Sequence, residues 1–171
     1  APADGYTLSA GSPMELVLAP MAIQGVKYKP EDFKLVAQFA TTNTILAVRN
    51  SLNVKTVDEL LALARKNTGN PLSYGSVYKQ FPAMAAMKGF EAMDFDIWAG
   101  IQVHKNTPDA VVNMLNKAFY AAVENAETRK ALEGSGNVVL PSRSPAELAR
   151  IYQGEIERYR AIAKSINLQP Q

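Results

Sequence analysis

The stretch Tyr6-Thr7-Leu8-Ser9-Ala10-Gly11-Ser12-Pro13-Met14-Glu15 decides how the chain is read. A short run of strand-like composition ends in Gly-Ser, and a helix start follows. Ser12 is a good N-cap, Pro13 suits the first helical position, and an apolar run continues from there. A strand that turns directly into a helix gathers free backbone N–H groups, a hydroxyl and the positive end of a helix dipole. That combination holds small anions. Leu72-Ser73-Tyr74-Gly75-Ser76 repeats the strand and the Gly-Ser, though no clear helix follows it. With no visible catalytic set elsewhere, the two turns predict capture of a carboxylate-type solute rather than its conversion.

Outward from these turns, strands alternate with helices. Strand candidates are 6–10, 33–39, 45–48, 72–74, 95–101 and 138–140, each rich in β-branched or aromatic residues between turn signals. Thr56-Val57-Asp58-Glu59 and Ser144-Pro145-Ala146-Glu147 are capping boxes opening helices at 56–66 and 144–166. Thr107-Pro108-Asp109 predicts a third helix, with Thr107 as N-cap and a stripe of Val111, Leu115, Phe119 and Val123. A shorter helix at 127–133 stops at Gly134-Ser135-Gly136, a C-cap and turn. In the last helix Leu148, Tyr152, Ile156, Tyr159, Ile162 and Ile166 line one face. Interleaved strands and helices predict an α/β fold.

Composition narrows the function classes. At 171 residues and 47% hydrophobic content the chain can bury a real core. Eighteen basic and 16 acidic residues leave a net charge of +2, too balanced for a nucleic-acid partner. No apolar run is long enough to span a bilayer, so the chain is expected not to be membrane-embedded. The absence of Cys rules out disulfides, thiolate metal sites and a Cys nucleophile.

Other residues carry weaker chemical signals. Thr42 and Asn43 precede a strand candidate at a sheet end, where loops carry binding, and join Gly11, Ser12, Gly75 and Ser76 as candidate ligand contacts. His104, the one His, reads as a surface residue because base catalysis and metal binding need partners. Asp94 and Asp96 lack a third group to work with. Trp98 falls on their side of the strand and reads as packing. No catalytic residue, metal or cofactor is expected.

Taken in order, several segments resemble the solute receptors of tripartite tricarboxylate transporters, the Bug-type periplasmic binding proteins. They are Ala3-Asp4-Gly5-Tyr6-Thr7-Leu8, Pro30-Glu31-Asp32-Phe33-Lys34-Leu35-Val36-Ala37, and Ile45-Leu46-Ala47-Val48 with Ser51-Leu52-Asn53-Val54-Lys55-Thr56. Pro71-Leu72-Ser73-Tyr74-Gly75-Ser76, Phe95-Asp96-Ile97-Trp98-Ala99-Gly100-Ile101 and Asn106-Thr107-Pro108-Asp109 complete the set. The resemblance implies a type II periplasmic-binding-protein lobe, a mixed sheet flanked by helices. It implies a periplasmic location, a small carboxylate ligand, and membrane transporter subunits as partners.

Departures from the family set further expectations. The family's opening strand and its Gly-Gly-Thr/Ser-Asp loop have no counterpart here, and after Ser76 the chain moves almost directly to Trp98. The division expected is a main lobe of 1–50 and 94–171, with 51–93 the remnant of a second lobe and a sequence break near 77–83. A fragment, a deletion or the ordered part of a longer chain would each read this way. Two rival readings come from other classes: a small α/β enzyme acting on an anionic metabolite, and a strand-sharing interaction module. Turnover would single out the first and concentration-dependent assembly the second.

Overall fold

Residues 1–42, 46–66, 97–165 and 167–170 are described by a computed structural model of the chain. They run β1 (Ser9–Gly11), α1 (a π-helical turn, Met14–Leu18, continued by Ala19–Ala22), β2 (Phe33–Thr42) and α2 (Val57–Lys66). Then come β3 (Ile97–His104), α3 (Asp109–Glu124), α4 (Ala126–Gly134), β4 (Val138–Val139) and α5 (Pro145–Ser165). The strands form one sheet in the order β1-β3-β2-β4. β3 is antiparallel to β1 and β2, and β4 is antiparallel to β2. The α/β class and the flanking helices are as expected. The parallel pairs that would make the sheet mixed are not among the described pairings.

Leu35, Val36, Ala37 and Gln38 are all buried in succession, so β2 is covered on both faces. One cluster joins Leu35 and Trp98 to Leu16, Val17 and Leu18 of α1 and to Leu148, Tyr152, Ile156 and Tyr159 of α5. The other joins Val36 and Val103 to Val112 of α3, with Leu115 and Phe119 packed against it. The apolar face expected on the last helix is therefore core, and each fully buried aliphatic there contributes about 1.5–3 kcal/mol.

Both capping boxes form. In α5, Ser144 N–H donates to Glu147 Oε2 (2.8 Å) and Glu147 N–H donates back to Ser144 Oγ (3.3 Å). Thr56 and Glu59 exchange the same pair at 3.3 and 3.2 Å. Asn125, which the sequence did not single out, caps α4 by accepting from the N–H groups of Glu127 and Thr128. The turn after α4 is as expected: Gly136 takes a φ of +81°, and Asn137 N–H donates to Leu132 O (3.2 Å).

Three local expectations are corrected. The strand at 6–10 shrinks to Ser9–Gly11, because among the described residues β1 has a partner on one side only and Tyr6 is 92% exposed. Residues 46–48 form no strand; Leu46 and Val48 are exposed, and strand composition without a pairing partner does not hold a strand. Thr107 is not the N-cap of α3. Its N–H turns back to His104 O (2.9 Å), and extended Pro108, ψ 140°, caps a helix that begins at Asp109. The strand candidate at 72–74, the start of the one at 95–101, and the break near 77–83 lie outside the described residues.

Candidate functional site

β1 and β2 run in the same direction, each antiparallel to β3, so both point toward the end where β3 begins, β2 reaching it and β1 stopping midway along β3. Gly11 pairs with Gly100, and Thr42 pairs with Ile97, three residues further along β3 or roughly 10 Å at strand spacing. The structure thus puts Gly11, Ser12 and Thr42 on the side of the sheet toward which β1 and β2 run, on strands separated by β3. Asn43, Gly75 and Ser76 lie outside the described residues.

At the first turn Ser12 does what an N-cap does. Its carbonyl accepts from Leu16 N–H (3.1 Å) and its Oγ from Met14 N–H (3.1 Å). The turn also holds a carboxylate, and that carboxylate is the chain's own. Glu15 Oε2 accepts from Ser12 N–H at 2.9 Å and from Ser12 Oγ at 2.5 Å. Only the Glu15 half of a capping box forms, since Ser12 Oγ accepts from Met14 N–H and not from Glu15 N–H; the sequence reading found capping boxes at two other helices and not here. Gly11 is closely approached: a Cβ there would lie 3.0 Å from Gln102 Nε2, which donates to Ser9 Oγ (3.0 Å). Thr42 Oγ1 donates to Asn137 Oδ1 (2.9 Å) in the turn after α4.

Behind this sheet end lies a cavity of about 180 Å³, walled by Gln38, Thr41, Trp98, Leu140, Arg143, Ile151 and Glu155. Trp98 is buried at 2% exposure, as the packing reading expected, and its Nε1 donates to both Glu155 oxygens (2.7 and 2.8 Å). Arg143 Nη1 donates to Gln38 Oε1 (2.6 Å), which fixes the orientation of that amide. Gln38 Nε2 is left enclosed with no partner among the described residues. Tyr120 Oη donates to Gln38 O (3.1 Å), and burial is the main reason its pKa is raised. Gln38, Arg143 and Glu155 carried no local signal. They lie far apart in sequence, and only the fold makes them neighbours.

At the far end of the sheet, a larger cavity of about 610 Å³ separates the start of β2 from α3 and α5. Its walls include Phe33, Leu35, Val112, Pro145 and Ile156, and its charged rim is internally paired. Lys34 Nζ meets Asp109 Oδ1 at 2.8 Å, and Glu31 pairs with Arg160. Tyr152 Oη donates to Pro30 O (3.0 Å), and burial pushes its phenol well above the ordinary range. His104 also sits at this end, accepting from Asn106 N–H through Nδ1 (3.2 Å). Among the described residues no group of three or more His, Cys, Asp or Glu could hold a metal, and no helix is long and apolar enough to cross a membrane.

Residues 1–80 match the family model described as "Tripartite tricarboxylate transporter family receptor". No curated protein sequence matches the chain. Several solved structures share its fold. An R. palustris protein solved with adipate superposes with a TM-score of 0.71 at 20% identity, over 100% of this chain and 81% of that one. MatC from Rhodopseudomonas palustris, with bound malate, gives 0.68 at 18% identity over 95% of this chain and 80% of that one. The periplasmic binding protein BugD gives 0.63 at 14% identity, over 100% and 81%. At such identities the likeness is one of fold. Together with the family match, it bears out the resemblance read from the sequence.

Proposed function

We propose, from a chain whose residues 1–80 match the tripartite tricarboxylate receptor family and whose fold is that of periplasmic binding proteins, that it is a solute receptor for a small carboxylate. One observation carries this reading. The matched residues contain every candidate contact, Gly11, Ser12, Thr42, Asn43, Gly75 and Ser76, and the described three lie at the C-terminal ends of β1 and β2, strands that run the same way. The carboxylates named with the adipate and malate structures support the choice of ligand class. In this reading 1–50 and 94–171 form the main lobe, 51–93 is the root of a second, and the loaded receptor acts in the periplasm by delivering its solute to a tripartite membrane transporter. The family matched is one of receptors, so the role is binding and release without covalent chemistry.

Energetics limit what the turns can do unaided. One dipole contact at an exposed helix start is worth ~0.3–1 kcal/mol, whereas micromolar affinity needs about 8 kcal/mol. Full affinity therefore requires a second surface to close over the ligand and exclude water. Calorimetric titration with a panel of mono-, di- and tricarboxylates, including adipate and malate, tests the proposal. Saturable binding of at least one acid, lost when its carboxylates are replaced by amides, is expected. Binding of no member, or equal binding of the amides, would overturn it.

A further inference from the structure

We infer that Glu155 is a positioning residue for the Gly11-Ser12 turn, acting through Trp98; the inference rests on the receptor reading above. Trp98 and Gly100 are two residues apart on β3 and share a face. A Cβ at Gly100 would lie 2.8 Å from the indole carbon Cζ3 and 2.6 Å from Ala37 O. The indole therefore lies along its own strand, over the backbone of the residue that pairs with Gly11. The same ring belongs to the cluster containing Met14, Leu16, Val17 and Leu18, the residues that directly follow Ser12. Trp98 thus supports the Gly11-Ser12 turn from two sides, through the strand pairing and through the helix it launches.

Packing is not the ring's whole support. Trp98 also borders the 180 Å³ cavity, which leaves unfilled space beside the indole. A ring facing open space on one side forfeits dispersion contacts and can tilt toward it. The hydrogen bond from Nε1 to the Glu155 carboxylate removes that freedom. Glu155 stands on α5, whose apolar face is anchored by Leu148, Ile156 and Tyr159 and whose Tyr152 Oη is fixed to Pro30 O. The carboxylate is therefore presented from a rigid element, as a supporting residue must be if recognition atoms are to keep their geometry.

The indole is the chain's one Trp, so its fluorescence reports this contact directly. The test uses Glu155→Ala and Glu155→Gln in the 171-residue chain, with malate and adipate as probes. Glu155→Ala is expected to shift the Trp98 emission maximum and weaken carboxylate binding about tenfold. Glu155→Gln keeps an acceptor oxygen and should restore the parent emission and return affinity to within about threefold. A general loss of stability would not be rescued in both readouts by the amide while the melting temperatures of the two variants stay alike. Unchanged emission and affinity in Glu155→Ala overturns the inference, as does an affinity loss that Glu155→Gln fails to rescue. If the parent chain binds neither probe nor any other acid, the receptor reading fails instead. The emission of Glu155→Ala then judges the clamp alone, and an unshifted maximum sinks it.

Discussion

Replacing Glu15 by Gln asks whether the Gly11-Ser12 turn is an anion cradle or only a helix cap. In the structure Glu15 Oε2 takes both the Ser12 N–H and the Ser12 hydroxyl, so an arriving carboxylate meets a charge already in place. At about 5 Å two like unit charges repel by roughly 3 kcal/mol at an effective dielectric of 20, and by about 0.8 kcal/mol in bulk water. Glu15 is exposed, which places the interaction toward the lower figure. Removing the charge should therefore tighten carboxylate binding by about 1 kcal/mol, or roughly fivefold. The gain should shrink in high salt, which screens exposed charges. Against it stands a loss of stability. A neutral amide still accepts a hydrogen bond at the helix start but gives up ~0.3–1 kcal/mol of dipole interaction. Calorimetric titration with malate and adipate at two salt concentrations, alongside melting curves, separates the two effects. Tighter binding with a slightly lower melting temperature supports the cradle. A Glu15→Gln chain that melts lower and binds no more tightly than the parent would refute it, and Ser12 would then be a cap alone.

Two further outcomes follow from the packing and the charges. Ile156, buried at 1% exposure between α5 and the sheet, should cost about 2–5 kcal/mol when truncated to Ala, measured by denaturant unfolding; a cost under about 1 kcal/mol would mean α5 is not part of the core. The carboxyls of Asp32, Asp109 and Glu147 are held below their ordinary range, chiefly by hydrogen bonds from Lys105, Lys34 and Ser144 respectively. Groups with a depressed folded pKa stabilise the chain above their unfolded values, near pH 4, and lose that contribution as pH falls through the folded ones. The melting temperature should accordingly be insensitive to these groups between about pH 5 and 8 and fall below about pH 4. A triple Asp32→Asn, Asp109→Asn, Glu147→Gln variant should show a shallower acid slope, and an unchanged slope would count against these pairs.

How much could be read from the chain depended on whether a signal was local. Thr56 with Glu59 and Ser144 with Glu147 are reciprocal over three residues, and both boxes formed. The stripe from Leu148 to Tyr159 repeats with the helical period, and it proved to be core. Strands were less legible, since a strand is held by a partner that its own residues do not name. Residues 46–48 have strand composition and no partner, whereas Ser9-Ala10-Gly11 is poor in strand formers and pairs with β3 all the same. At the Gly11-Ser12 turn the Ser12 cap was legible because a turn needs its glycine and serine in sequence. Gln38, Arg143, Glu155 and Asn137 were not, because each acts on a residue that only the fold brings near.

Glu15 shows why the first turn could not be settled from sequence. A helix start offers its N–H groups and dipole to any carboxylate within reach, so a capping Glu and a bound acid satisfy the same donors. The pattern Ser12-Pro13-Met14-Glu15 is therefore a cap closed by the same donors that, in the proposed reading, a bound carboxylate would use. Which use dominates depends on the free energy of moving Glu15 aside, and that side chain is exposed, with water able to take over its solvation. An exposed capping carboxylate is worth only about 1 kcal/mol to its helix. A ligand held by a closing second surface gains several times that, so displacement is within its means, while a free acid meeting the open turn gains too little.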